Sequence, residues 1–368
     1  MSANPDVIVI GGGAVGSACA RALARRGTGV LVVDREDTPG EGWRASAGML
    51  AAQVEAEPDD PLLGLAVAGR TFYRDQAGPL RERTGIDIGL VECGVLQIAL
   101  TEAASLAGKE KVAWQRQQSH LADWLSPEEV AEGWPWLAAG MGAFWSPEDG
   151  VVDPALVVAA FQRDAELNGA VIIPDVAVSI ESANGRVTGV QGARDRYHAP
   201  SVVVAAGAWS GRIAGLPRPL SVEPVRGQMV AFPWPANASA VVAYGPGCYL
   251  LRRGDEMLVG ATMEHAGFDP SVTEDATATL IKRASAIHPA LRDATARRAW
   301  SGLRPGTPDG LPIIGAEPRL SGLWYATGHG RNGILLAGVT GELIAQQFHG
   351  DEETADLRVV RPERFWDW

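Results

Sequence analysis

VIVIGGGAVGSACARALARRG, residues Val7 to Gly27, decides how the first part of this chain folds. Val7–Ile10 is an unbroken apolar run, the pattern of a strand buried on both faces. It leads directly into Gly11, Gly13 and Gly16, which satisfy G-x-G-x-x-G. The first glycine permits a tight turn, the second lets backbone approach a pyrophosphate, and the third lets the next helix pack close to the strand. Ala14 and Val15 open that helix, expected to run to about Arg26, and its N-terminal end would aim unpaired N–H groups at phosphate. A second apolar run, Val30–Val33, ends at Asp34, where an acid can accept hydrogen bonds from ribose hydroxyls. Strand, loop, helix, strand and acid stand in register, which reads as a dinucleotide site. The competing reading is a structural glycine turn with no ligand. The motif alone does not separate a nicotinamide from a flavin dinucleotide. The next stretch, DREDTPGEGWRASAGML (34–50), favours the flavin, because small residues at Ala45–Gly48 let backbone lie flat against a large planar ring. A surface loop before a helix fits that composition as well.

Composition narrows the classes. The 368 residues are enough for two domains, and 46% hydrophobic content is that of a folded protein. A net charge of −12 argues against nucleic acid or an acidic membrane as partner. Cys19, Cys93 and Cys248 are far apart and form no disulfide or metal spacing, which suits a reducing compartment. No run approaches the ~20 apolar residues of a membrane span, and no signal segment precedes Val7, so a soluble, cytoplasmic protein is expected. No metal site is expected.

Further along, helical spacing is seen from Pro61 to about Thr84, and strand-like alternation from Ile86 to Leu100. Ser126 and Asp153 read as N-caps, the latter opening a helix from Pro154 to about Leu167. Val171–Ile173 reads as a short buried strand. Val176–Ile180 and Arg186–Val190 read as a hairpin, and Ser201–Ala205 as a return to the nucleotide sheet before AAGAWS (205–210). Val222–Phe232, Cys248–Leu251 and Glu256–Thr262 read as antiparallel strands, followed by a helix over Ser271–Ile287. The expected class is α/β: a Rossmann-like dinucleotide domain from residues 1–84, 141–219 and 300–368, and an antiparallel-sheet substrate domain from 85–140 and 220–299.

WSGLRPGTPDGLPIIG (300–315) and LWYATGHGRNGILLA (323–337) place Arg304 and Arg331 among glycines, prolines and aliphatic residues. A guanidinium is expensive to desolvate there unless an anion partners it. Only Asp309 and Glu317 are acidic between them. Either the missing anion is a ligand, or both arginines reach solvent from loops.

GGGAVG (11–16), SAGML (46–50), AAGAWS (205–210), RGQ (226–228), VGATMEHAGFD (259–269), GLRPGTPDGLPIIG (302–315) and GHGRNGILLA (328–337) together resemble the D-amino-acid-oxidase group of FAD enzymes, the bacterial glycine oxidases in particular. The resemblance covers nearly the whole chain. It implies that Gly11 to Val15 with Asp34 and Arg35 hold the pyrophosphate and ribose. Ala47, Gly48 and Met49 would line the isoalloxazine, Val176 or Ala177 would meet the adenine, and Gly207 would lie near the nucleotide. His329, Gly330, Arg331, Asn332, Gly333, Ile334 and Leu335 would run along the flavin, the helix opened by Gly333 pointing at its N1–C2 carbonyl region. Arg304 would bind the substrate carboxylate bidentately, with Tyr249 adding a hydroxyl, Arg331 bordering the site and Met263 forming wall.

Two departures from the family pattern, Gly247 where histidine is frequent and Gly330 where a larger side chain is common, would widen the pocket. Relatives with covalent flavin carry a cysteine near Gly302–Leu303, so non-covalent FAD is expected here. The implied reaction is oxidation of glycine or another small amino acid to 2-oxo acid, ammonia and peroxide, which in this family can supply the imine for thiamine thiazole. Alternatives are sarcosine, another N-methyl amine or a D-amino acid as substrate, a dehydrogenase, or a flavin-binding redox sensor. Substrate amine and dioxygen would be the partners, and the resemblance implies a homotetramer. His265 and His288 are expected at the surface, Cys19 and Cys248 in the core.

Overall fold

The VIVI run becomes the middle of a six-stranded sheet and is buried throughout. The structure is a computed structural model describing residues 5–35, 38–351 and 357–365. Val7–Ile10 lies parallel to Val30–Asp34 on one side and to Ser201–Val204 on the other. Val171–Pro174 adds one edge; Leu323–Thr327 and the antiparallel Ile313–Ala316 add the other. Gly11 has φ +102°, and a Cβ there would stand 2.5 Å from the Ala205 carbonyl oxygen, so the turn out of the central strand admits only glycine.

The helix Ala14–Arg25 then packs between the helices Pro154–Leu167 and Gly333–His349. Its seam with the last is close: a Cβ on Gly341 would lie 2.5 Å from the Ala18 carbonyl oxygen. Arg21, buried within this layer, is held by Asp164 at 2.9 Å and Glu342 at 2.9 Å.

A second, eight-stranded sheet runs in the order Arg298–Gly306, Glu223–Pro233, Glu256–Gly260, Cys248–Arg253, Val242–Gly245, Val95–Ile98, Ala143–Ser146, Asp123–Leu125. Its pairings are antiparallel except Val242–Gly245 with Val95–Ile98. Two of its strands, Ala143–Ser146 and Arg298–Gly306, come from stretches that the sequence reading placed with the nucleotide part.

Other expectations shift. Val171–Pro174 is an edge strand with Val171 half exposed, because one neighbour is missing; length and apolarity alone did not reveal that. The helix expected over Ser271–Ile287 is Glu274–Ala284, started by the Thr273 side chain accepting from the Ala276 N–H. Strand structure in 86–100 is confined to Val95–Ile98, and the helix Glu102–Gln117 was not foreseen. Ser126 and Asp153 cap helices as read; Ser126 and Glu129 form a reciprocal capping box.

His288 is buried rather than at the surface. Its Nδ1 lies 2.6 Å from the Trp136 carbonyl oxygen and its ring is edge-on to the Trp136 indole; burial lowers its pKa. His265 is exposed, and Cys19 and Cys248 are buried thiols with raised pKa. Among the described residues no helix is long and apolar enough to cross a membrane.

Candidate active site

Between the two sheets lies a cavity of about 1260 Å³, larger than the ~300–1000 Å³ of a usual small-molecule site. Ile10, Asp34, Ala205 and Thr327, at or just past the carboxyl ends of parallel strands, form one part of its wall, which is where open α/β sheets take ligands. Every candidate residue named from the sequence lines this cavity except Gly12 and Gly16. Gly16 instead packs: a Cβ on it would stand 1.9 Å from the Gly11 carbonyl oxygen, which confines it to holding helix against strand.

The nucleotide end is built for close backbone approach. Gly11, Gly13, Ala14 and Val15 open onto the cavity, and Gly13 has only the edge of Trp43 near its missing Cβ, at 3.1 Å. Asp34 closes the second strand; burial raises its pKa, opposed by a hydrogen bond from the Gly12 N–H. Val176 and Ala177 lie on the wall nearby, as does Gly207, at φ +53°. Arg35 stacks on Trp209 with its guanidinium carbon 3.6 Å from the ring centroid.

The middle of the cavity is flanked by two segments fixed from behind. In the first, Arg253 Nη2 donates to the Ala47 carbonyl at 2.5 Å and Trp300 Nε1 to the Ala45 carbonyl at 3.2 Å. Gly48, at φ +78°, has no room for a Cβ, which would meet the Val152 carbonyl oxygen at 2.0 Å. The second runs from His329 to Leu335 and carries the first N–H groups of the helix Gly333–His349. Tyr73 anchors that end by donating from its hydroxyl to the Ile334 carbonyl at 2.6 Å. His329 is buried, with Nε2 3.0 Å from Thr340 Oγ1, and burial pushes its pKa down to about 3, so it is neutral.

At the far end stands Arg304, in the strand Arg298–Gly306. A Cβ on Gly227, across the strand pair, would lie 2.2 Å from Arg304 Nη1, so the guanidinium lies flat over a bare backbone. Nη1 donates to the Thr262 carbonyl at 2.9 Å. Among the described residues no carboxylate pairs with it; burial lowers its pKa, and the nearby Tyr249 partly opposes that. Among the described residues the Tyr249 hydroxyl has only the Met229 sulfur, at 3.8 Å, as partner, and burial raises its pKa to about 12. Both groups are therefore short of oxygen partners. Met263 sits on the rim, 64% exposed.

Arg331 meets the second of the two sequence alternatives, since it is exposed. Its partner is not a missing ligand but Glu55, whose Oε2 lies 2.6 Å from Arg331 Nε, while Glu55 Oε1 accepts from the Tyr244 hydroxyl at 2.9 Å. The two acids between the arginines are engaged elsewhere: Asp309 with Arg364 at 2.7 Å, and Glu317 with Arg218 at 2.8 Å. Glu55, Tyr244 and Arg253 escaped the sequence reading, because nothing in their spacing marks them and the fold alone brings them here. The RGQ and VGATMEHAGFD motifs are explained as a brace. Arg226 pairs with Glu264 at 2.6 Å and Asp269 at 2.9 Å, and Gln228 Nε2 donates to Glu264 at 2.9 Å, fixing the segment that carries Thr262.

The bare glycine approaches, the acid at the second strand's end and the small-residue wall fit a flavin dinucleotide. Residues 6–347 match the DAO family, described as FAD dependent oxidoreductase. Over 97% of its length the chain is 37% identical to the glycine oxidase of Geobacillus kaustophilus (strain HTA426), covering 96% of that protein. It is 34% identical over 99% of its length to the bifunctional protein ThiO/ThiG of Synechocystis sp. (strain ATCC 27184 / PCC 6803 / Kazusa), spanning 55% of that longer chain. The crystal structure of glycine oxidase from Geobacillus kaustophilus superposes with a TM-score of 0.91 at 35% identity, covering 98% of each chain. By geometry and by likeness, the chain belongs to the DAO family of FAD-dependent oxidoreductases, and FAD is its cofactor.

Proposed function

We propose that this enzyme oxidises glycine or another small amino acid to the imine, which water converts to 2-oxo acid and ammonia, while dioxygen becomes hydrogen peroxide. The observation that carries this reading is Arg304: a guanidinium deep in the cavity, facing it, with no carboxylate partner among the described residues. A substrate carboxylate supplies the anion, and the Tyr249 hydroxyl donates to the same group. The clamp holds the substrate by its acid end and leaves Cα and the amine free towards the segments Ala47–Met49 and His329–Leu335.

Those segments, with Gly11, Gly13, Ala14, Val15 and Asp34, hold non-covalent FAD. When bound, it supplies the acceptor for a hydride from Cα and passes the electrons to dioxygen. Both Cα electrons leave with the hydride, so the amine reacts neutral and no side chain need remove a carbon proton. His329 is neutral, and its Nε2 faces Thr340, so its part is to line the cofactor space. The N-terminus of the helix Gly333–His349 favours negative charge placed beside it. Likeness to one part of a ThiO/ThiG protein supports a role in supplying thiazole synthesis.

The division into a nucleotide part and a substrate part belongs to this proposal, with the strands Ala143–Ser146 and Arg298–Gly306 joining the substrate sheet. So does a homo-oligomer, which the family resemblance supports and light scattering of the holoenzyme tests. A second substrate reading, sarcosine or a larger D-amino acid, draws on Gly330, where a Cβ would meet nothing within 4 Å.

The test is a panel of glycine, sarcosine and D-amino acids scored by peroxide release, with anaerobic bleaching of the flavin as control. Glycine should bleach the flavin and yield peroxide. Bleaching by sarcosine or D-alanine but not glycine moves the assignment to those amines. Bleaching without peroxide makes the enzyme a dehydrogenase, and a flavin that no amine reduces removes the reading in favour of a sensor.

A further inference from the structure

Five arginines line the cavity: Arg35, Arg212, Arg283, Arg304 and Arg331. Arg35 and Arg212 lie over the rings of Trp209 and Phe268, at 3.6 and 3.7 Å from the centroids. Arg304 has the substrate carboxylate, and Glu55 neutralises Arg331. Arg283 is left, and neither the reaction nor the cofactor uses it.

Arg283 lies near the end of the helix Glu274–Ala284. Asp275, Ala276, Thr279 and Arg283 all face the cavity, at the spacing of one helix face. The Arg283 guanidinium sits over Gly247 at the tip of the hairpin that carries Tyr249. A Cβ on Gly247 would stand 3.2 to 3.4 Å from its Nη1, Cζ and Nε atoms. Nη1 donates to the Gly247 carbonyl at 3.2 Å, and no carboxylate among the described residues pairs with it. The residue is exposed at the cavity wall, so its remaining donors and its charge face both solvent and the cavity. Arg283 stands on the hairpin tip at Gly247, whereas Tyr249 of the clamp lies two residues along the second strand of that hairpin. The one acid on its own helix face, Asp275, is eight residues away, about 12 Å along the axis.

We propose that Arg283 is a second anion anchor, which selects amino acids bearing a second carboxylate, on the nitrogen or the side chain, over their monoacid counterparts. This rests on the reading that Arg304 takes the first carboxylate. A planar fork suits the second one, and the glycine beneath it leaves the space in which the guanidinium itself lies on the hairpin tip.

The test measures binding rather than turnover. FAD-loaded wild type is titrated calorimetrically with 2,2′-oxydiacetate and with its monoamide, which match in length, lack an amine and differ by one carboxylate charge. Wild type should prefer the diacid roughly tenfold, the scale of a charged hydrogen-bonded contact. Arg283→Gln should abolish the preference and Arg283→Lys should retain part of it, while Lys282→Ala, on the next residue of the same helix, should keep it. A general structural effect would weaken both ligands alike and leave their ratio unchanged. A wild type without preference, or a preference that survives Arg283→Gln, overturns the proposal. Preference without oxidation of any amine would leave the anchor standing and remove the proposed reaction; glycine oxidation without preference would do the reverse.

Discussion

At the scale of single residues, the site is a set of polar groups left short of partners. Among the described residues Arg304 has one backbone acceptor and Tyr249 one sulfur, so removing the guanidinium takes away the substrate's counter-charge. Arg304→Ala should lower kcat/KM for the best amine by about 2–5 kcal/mol, the scale of truncating one member of a desolvated charge pair. Steady-state kinetics checks this, and an unchanged kcat/KM removes the role. His329 makes a pH prediction. Its folded pKa, about 3, lies below the ordinary 6.5, so the unfolded chain binds more protons between those values. Stability is therefore lost as pH falls through that window, and His329 contributes roughly 2 kcal/mol of loss between pH 7 and pH 5. His329→Gln should flatten the pH dependence of the urea midpoint by that amount; an equally steep variant would refute the neutral buried ring.

At the scale of elements, close approach rather than charge does most of the positioning. The helices Ala14–Arg25 and Gly333–His349 meet where Gly341 faces the Ala18 backbone, and this seam sets where the second helix points its N-terminus. Gly341→Ala forces a methyl within 2.5 Å of that carbonyl, and should lower stability by about 1–3 kcal/mol through overpacking. Denaturant midpoints read this directly; a stabilised variant would show that the helices separate freely. The two helices were legible from the glycine motif and from GHGRNGILLA. Their contact was not, because a glycine inside a helix looks the same whether it faces solvent or another backbone.

At the scale of the whole molecule, the cavity is walled by both sheets, so cofactor and fold are linked. Ligand that binds only the folded state adds about 2.7 kcal/mol at a hundredfold excess over Kd. Stripping FAD should lower Tm, and titrating it back should raise Tm with the logarithm of concentration. Acid precipitation should release the flavin into solution. A flavin retained on the precipitate would show a covalent bond, against the expectation from Gly302, whose Cβ position is already 2.5 Å from that of Ala45.

The sequence by itself determined the nucleotide unit, because Val7–Asp34 encodes strand, turn, helix and acid through local sterics and a fixed spacing. It also marked Arg304 and Tyr249, through motifs that resemble a family. It could not show that Arg331 already has an anion in Glu55, that Arg283 has none among the described residues, or that the strand Arg298–Gly306 pairs into the large sheet. Those facts depend on contacts between residues far apart in the chain. A guanidinium's need for a counter-ion is local chemistry, but whether an acid arrives to meet it is decided only when the sheets close around the cavity.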